Sequence, residues 1–114
     1  MMSSSAIKIG ARTYAIASLS DEDFDVLLSR KIEPDGDIKS FIDYDEQLIV
    51  VRGRLRPDHK RELIIHELIH ACVEDAGLQQ EEGFIRSIAA RLNSLIDENL
   101  FDVLREVCHE TTVC

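Results

Sequence analysis

The sequence predicts an α+β fold, a small antiparallel sheet of about three strands packed on two to four helices. Three observations predict it. Apolar residues alternate with polar ones in two N-terminal stretches, they recur at helical spacing in the C-terminal half, and turn residues separate the segments. The chain has 114 residues, enough for one modest core, so positions 1–114 read as a single domain with residues 1–5 outside its ordered part.

Residues 6–17 place Ile7 and Ile9, then Tyr14 and Ile16, in alternation around Gly10, which reads as one bent strand or two short ones. Ser20 precedes Asp21, Glu22 and Asp23 and then Phe24, Val26, Leu27 and Leu28. This is a helix start over 20–31 with acids in the first turn, where the helix dipole favours them. Glu33-Pro34-Asp35-Gly36-Asp37 is a turn. Beyond it Ile38, Ser40 and Ile42 alternate, Asp43-Tyr44-Asp45-Glu46 reverses the chain, and Gln47 to Arg52 returns, which predicts a hairpin.

Pro57-Asp58 opens a helix with Asp58 as N-cap, and Gly77 closes it as the C′ residue. A second long helix spans 79–97 on Phe84, Ile85, Ile88, Leu92, Leu95 and Ile96, and residues 98–108 extend or follow it as a short amphipathic helix.

Composition narrows the function classes. Thirteen basic against twenty-two acidic residues leave a formal charge of −9, which argues against nucleic acid as the main partner. The basic run Arg52-Gly53-Arg54-Leu55-Arg56, with Lys60-Arg61 beyond it, reads as a solvated strand end and loop more readily than as a patch for an acidic partner. No apolar run reaches the roughly 20 residues of a membrane span. The first eight residues carry no export signal, so the expected location is the cytoplasm. Cys72, Cys108 and Cys114 form no C-x-x-C pair and read as free thiols, with Cys72 in the core. Cys108, His109 and Cys114 lack the spacing of a structural zinc site.

Residues 66–70 read His-Glu-Leu-Ile-His. His66 and His70, one helical turn apart, project from one face and can bind one tetrahedral zinc ion. Glu67 lies about 60° further round the helix, placed to take a proton from a water that the metal activates. A random chain of this length shows such a motif roughly three times in a thousand, so its weight comes from context. Here it sits within a helix bounded by turn residues, shortly after a strand. Ile64, Ile65, Leu68, Ile69, Cys72 and Ala76 form the expected core face, with His66, Glu67 and His70 at its boundary. The plain alternative is three solvated polar residues on an amphipathic helix.

A catalytic zinc needs a third protein ligand. Glu74 continues the His66–His70 stripe, but ligands at i, i+4 and i+8 spread over about 12 Å and cannot converge. Glu81 and Glu82 open the next helix, and both are in reach; acids in a first turn also serve the helix dipole. Candidate oxyanion donors are Tyr44, Tyr14 and His109, and His59 reads as an exposed first-turn residue. The strand over 47–53 offers a free edge to an extended peptide.

The stretch RELIIHELIHACVEDAGLQQEEGFIRSIAARL resembles the small gluzincin-type metallopeptidases of phage and bacterial genomes, related to the ImmA/IrrE type. The likeness covers residues 6–97 and is specific in the helix pair. It implies a minimal zincin-like fold, Zn2+ as cofactor, and Glu82 as third ligand from the second helix, with Glu81 as the alternative. It further implies cleavage of a regulatory protein in the cytosol of a bacterial or phage-infected cell. One departure is the short interval of 12 residues between His70 and Glu82, which demands a tight turn. The expected function is thus peptide-bond hydrolysis by a zinc metalloprotease. The alternatives are a metallopeptidase scaffold that binds a host or regulatory protein without cleaving it, and a hydrolase of a small amide.

Overall fold

A computed structural model describes residues 3–31 and 37–110. The elements are β1 (Ser3–Ile9), β2 (Arg12–Leu19), α1 (Asp21–Leu28), β3 (Ser40–Asp43), β4 (Leu48–Arg52), α2 (Pro57–Asp75), α3 (Glu82–Asp97) and α4 (Leu100–Glu110). The fold is α+β, a small sheet on four helices. Residues 3–5, expected outside the domain, belong to β1. The turn at Glu33, Pro34, Asp35 and Gly36 and the terminal Cys114 lie outside the described residues. No helix among those described is long and apolar enough to cross a membrane.

The N-terminal alternation resolves into two strands. Gly10 has φ +61°, and Ala11 beside it does not share the positive φ, the pattern of a two-residue hairpin turn with glycine first. Side-chain atoms of Asp75, at the end of α2, lie where a Cβ at Gly10 would stand, so glycine also lets the hairpin touch that helix. Ser20 caps α1, its hydroxyl accepting the Asp23 N–H at 3.2 Å.

The sheet has four strands in the order β1-β2-β4-β3. Pairs β1/β2 and β3/β4 are antiparallel, but β2 and β4 run parallel. The sheet is therefore mixed, where three antiparallel strands were expected. The cause is the excursion through α1 and β3, which brings the chain back beside β2 in the same direction. Within β4 the run Leu48-Ile49-Val50-Val51 is continuous rather than alternating, as suits a strand covered on both faces, and Ile49, Val50 and Val51 are all fully buried. One face of the sheet packs Ala17, Leu19 and Val50 against Phe24 and Leu28 of α1. The other packs Tyr14 and Ile49 against Ala71 of α2.

Arg52 ends β4 inside the protein, only 2% exposed. Its Nε donates to the Ile38 carbonyl at 2.7 Å, and its two terminal nitrogens donate to Asp21 at 3.0 Å and Asp25 at 2.9 Å. The guanidinium lies 4.1 Å from the centre of the Phe24 ring, and the Arg52 N–H donates to the Lys39 carbonyl at 3.0 Å. The start of the basic run is thus a buried internal clamp rather than a solvated strand end, and Arg54 joins it by pairing with Asp21. A fork of five donors suits this task where lysine would not.

Replacing Arg52 by Met should lower stability by about 3 kcal/mol, read from urea unfolding, because the Ile38 carbonyl and both carboxylates lose a charged donor. The hydrogen bond from Arg52 holds the Asp21 carboxyl below its ordinary value. A depressed folded value stabilises above the unfolded value near 3.9 and is lost as pH falls through the folded one. Asp21→Asn should therefore lower the urea midpoint at pH 7, and the gap to the parent should close below about pH 4.

Candidate metal centre

Helix α2 starts at Pro57, with Arg56 as N-cap and no side-chain cap; Asp58, expected as the cap, lies one position inside the first turn. Proline at the first helical position needs no N–H partner and presets φ, so a side-chain cap is dispensable. The helix ends at Gly77, φ +69°. There the Gly77 N–H donates to the Glu74 carbonyl and the Leu78 N–H to the Val73 carbonyl, the paired bonds of a Schellman motif.

The face turned to the sheet differs from the expected one. The buried residues of α2 are Glu67 and Ala71, whereas Ile64, Ile65 and Ile69 are half-buried and Cys72 and Ala76 are exposed. Helix α2 packs on the sheet and, along another side, on α3. Its apolar residues are divided between two contacts instead of forming one stripe, and the small Ala71 takes the closest approach. Cys72 is a free thiol. Cys108, read as a free thiol, is disulfide-bonded.

With Glu67 and Ala71 on the sheet, His66 and His70 turn toward the groove between α2 and α3. Their Nε2 atoms are 3.2 Å apart. The Glu82 carboxylate meets both, with Oε1 2.8 Å from His66 Nε2 and Oε2 2.9 Å from His70 Nε2. Helix α3 buries Ile85, Ala89 and Asn93, and Glu82 continues that row toward the histidines by one turn. At the far end Arg61 donates to Asn93 and Asp97, clasping the helices together. Glu81 is committed elsewhere. As N-cap of α3, its carboxylate accepts the N–H groups of Gly83 at 3.1 Å and Phe84 at 3.0 Å. Of the two candidate acids, Glu82 alone faces the imidazoles.

Glu67 is 6% exposed, and its Oε2 accepts the Ser40 hydroxyl at 2.7 Å. Burial pushes its carboxyl up from the ordinary value, opposed by the Ser40 hydrogen bond and the two imidazoles. His66, Glu67 and His70 each offer a ligand atom within 4.8 Å of the others. The donor set fits zinc. Two nitrogens bound at about 2.0–2.1 Å on a tetrahedral ion stand roughly 3.3 Å apart, close to the observed separation, and the carboxylate from α3 supplies an oxygen on the same side.

These groups open on a cleft of about 650 Å³, lined also by Ser40, Ile42, Glu62, Leu63 and Arg86. The strand over 47–53 lies inside the sheet as β4, so it has no free edge; the edges are β1 and, next to β4, β3. The Arg52 N–H bonds to the Lys39 carbonyl, and antiparallel pairing alternates, so the N–H and C=O groups of Ser40 and Ile42 point away from β4.

The candidate oxyanion donors disperse. Tyr14 is 1% exposed in the core, and the His109 side chain lies outside the described residues. Tyr44 stands behind His70, its hydroxyl 3.4 Å from Gln80 Nε2. Burial, then nearby carboxylates, push it to about 12. His59, read as merely exposed, is half-buried and lines the cleft, and Glu74 stays outside it. The reading of the sequence missed Ser40, Arg86 and Gln80. Ser40 had a signal, since a polar residue sharing a strand face with Ile42 points inward; Gln80 had none.

Ser40→Ala leaves a buried carboxylate short of one partner and should cost about 1–3 kcal/mol in metal-free protein, measured by urea unfolding at neutral pH. Unchanged stability would mean that Glu67 is satisfied without Ser40. No protein-family model matches the chain, and no curated protein or solved structure matches it significantly.

Proposed function

We propose that this protein is a zinc-dependent metallopeptidase in which His66, His70 and Glu82 hold the metal and Glu67 is the general base. The observation that carries the reading is one carboxylate from α3 meeting two imidazole Nε2 atoms 3.2 Å apart on α2. Zinc, when bound, supplies Lewis acidity that makes water a nucleophile near neutral pH. Glu67, one residue after His66, would accept a proton from attacking water on its free carboxylate oxygen and return it to the departing amine. Ser40 fixes one of its oxygens and leaves the other to do so. Burial, by raising its proton affinity, makes it a stronger base than a solvated carboxylate.

An extended peptide suits the cleft. The outward backbone groups of Ser40 and Ile42 can pair with a substrate main chain laid beside β3, bringing a carbonyl over the histidines. Arg86, which lines the cleft and stands 3.4 Å from Glu82, is a candidate donor to a developing oxyanion. A protein substrate, a regulatory one in the cytosol of a bacterial or phage-infected cell, follows from the family resemblance. The binding-scaffold reading has one observation in its favour, the exposed apolar side chains Phe101, Val103, Leu104 and Val107 on α4, which suit a protein partner.

Metal analysis should find one zinc per chain in both the parent and Glu67→Gln, while new protein termini in a treated bacterial lysate should arise with the parent only. Zinc in both with no cut products would favour the scaffold, and no zinc in either would end both. Glu82→Ala should weaken zinc binding at least about 100-fold. Glu81→Ala should leave zinc binding within about threefold and cost about 1 kcal/mol of stability as a lost cap.

A further inference from the structure

The loop between α2 and α3 sets Gln80 against the back of His70. The His70 backbone oxygen only accepts, so the amide atom 3.1 Å from it is the nitrogen, which fixes the orientation of the Gln80 side chain. Gln80 Oε1 then lies 2.8 Å from His70 Nδ1. That oxygen is an acceptor as well, and the contact requires a hydrogen on Nδ1. A neutral imidazole carries one hydrogen, so Nε2 is left with a lone pair directed into the cleft. It meets Glu82 Oε2 there at 2.9 Å. Two accepting atoms at that distance need either a proton or a metal ion between them.

We infer that Gln80 is a positioning residue, which holds the neutral His70 ring in its Nδ1–H form and so aims a ligand lone pair at the point shared with His66 and Glu82. The lone pair at Nε2 rests on the metallopeptidase reading, in which a metal ion and not a proton lies between Nε2 and Glu82; the Nδ1–H contact with Gln80 does not. Tyr44 steadies the arrangement from the β3–β4 turn. Its hydroxyl, a neutral phenol at physiological pH, stands 3.4 Å from the amide nitrogen whose other contact is the His70 carbonyl. The amide thus grips one residue at both its ring and its backbone, which specifies ring orientation better than a single bond would.

The test uses the full chain with 15N-labelled histidine, metal-free, at about pH 8, above the ordinary imidazole range. Long-range proton–nitrogen spectra report which ring nitrogen carries the hydrogen, and competition with a chromophoric chelator reports zinc affinity. The parent should show His70 with hydrogen on Nδ1. Gln80→Leu should move it toward Nε2 and weaken zinc binding about 10–100-fold. Gln80→Glu, still an acceptor, should keep the Nδ1–H form and bind zinc more tightly than Gln80→Leu. An unchanged tautomer in Gln80→Leu would overturn the inference, as would a parent with hydrogen on Nε2. If Gln80→Leu does not fold, loss of the Nδ1–H form in Gln80→Glu overturns it equally. A parent that binds no zinc but shows the tautomer shift on Gln80→Leu would sink the metallopeptidase reading and uphold the role of Gln80.

Discussion

A carboxylate buried on the sheet-facing side of a helix is the constraint from which the geometry of the site follows. Glu67 occupies the position where α2 would most simply carry leucine, and Ala71 one turn later is fully buried. Once these two residues define the face on the sheet, the rotation of α2 is set. His66 and His70 then stand about 100° to one side by helix geometry, and that side is where α3 arrives. A slip of one residue in this face would carry the imidazoles away from Glu82. Burial of a carboxyl works against stability, and the Ser40 hydroxyl offsets part of that cost.

The support for Ser40 reaches back through the sheet. Ser40 begins β3, and the two carbonyls before it, of Ile38 and Lys39, both accept hydrogen bonds from Arg52. Arg52 is in turn gripped by Asp21 and Asp25 of α1. Phe24, beneath the guanidinium, makes an edge-on contact with Phe41 of β3 at 5.1 Å between ring centres. The layer opposite the cleft therefore acts on the cleft through a short edge strand. Rigid elements holding a site through a supporting shell are what a base placed to within a fraction of an ångström requires.

Much of this was legible in the residues, and the failures have a common cause. The H-E-x-x-H helix, its end at Gly77, the helix start after Ser20 and the alternating strands rest on local chemistry, and each is where the residues place it. What could not be read is which side of an element meets which neighbour. Helix α2 is apolar on more than one side because it has two neighbours, so hydrophobicity alone misplaced Cys72 and understated the burial of Glu67. The parallel pairing of β4 with β2 depends on a crossover that no local pattern specifies, although the unbroken apolar run of β4 hinted at an interior strand. Glu81 and Glu82 differ by a single 100° step. One caps α3 and the other faces the histidines, and glutamate is uncommon enough as a cap that composition could not separate them.

The balance between an enzyme and a binding scaffold turns on what each would ask of residue 67. In the scaffold reading two imidazoles and Glu82 would already complete a zinc site tying α2 to α3, and such a site would gain nothing from a further carboxylate beside them. A leucine or methionine at 67 would fill the same space against the sheet and remove the desolvation of a charge. The chain instead keeps a carboxylate there, supplies a hydroxyl from β3 to hold one of its oxygens, and places it beside the histidines at the floor of an open cleft. A carboxyl kept at a stability cost, its proton affinity raised by burial, is what supports the proposed hydrolytic reading. On that ground the proposed hydrolytic reading is preferred to the scaffold, whose own support is the exposed apolar side chains of α4.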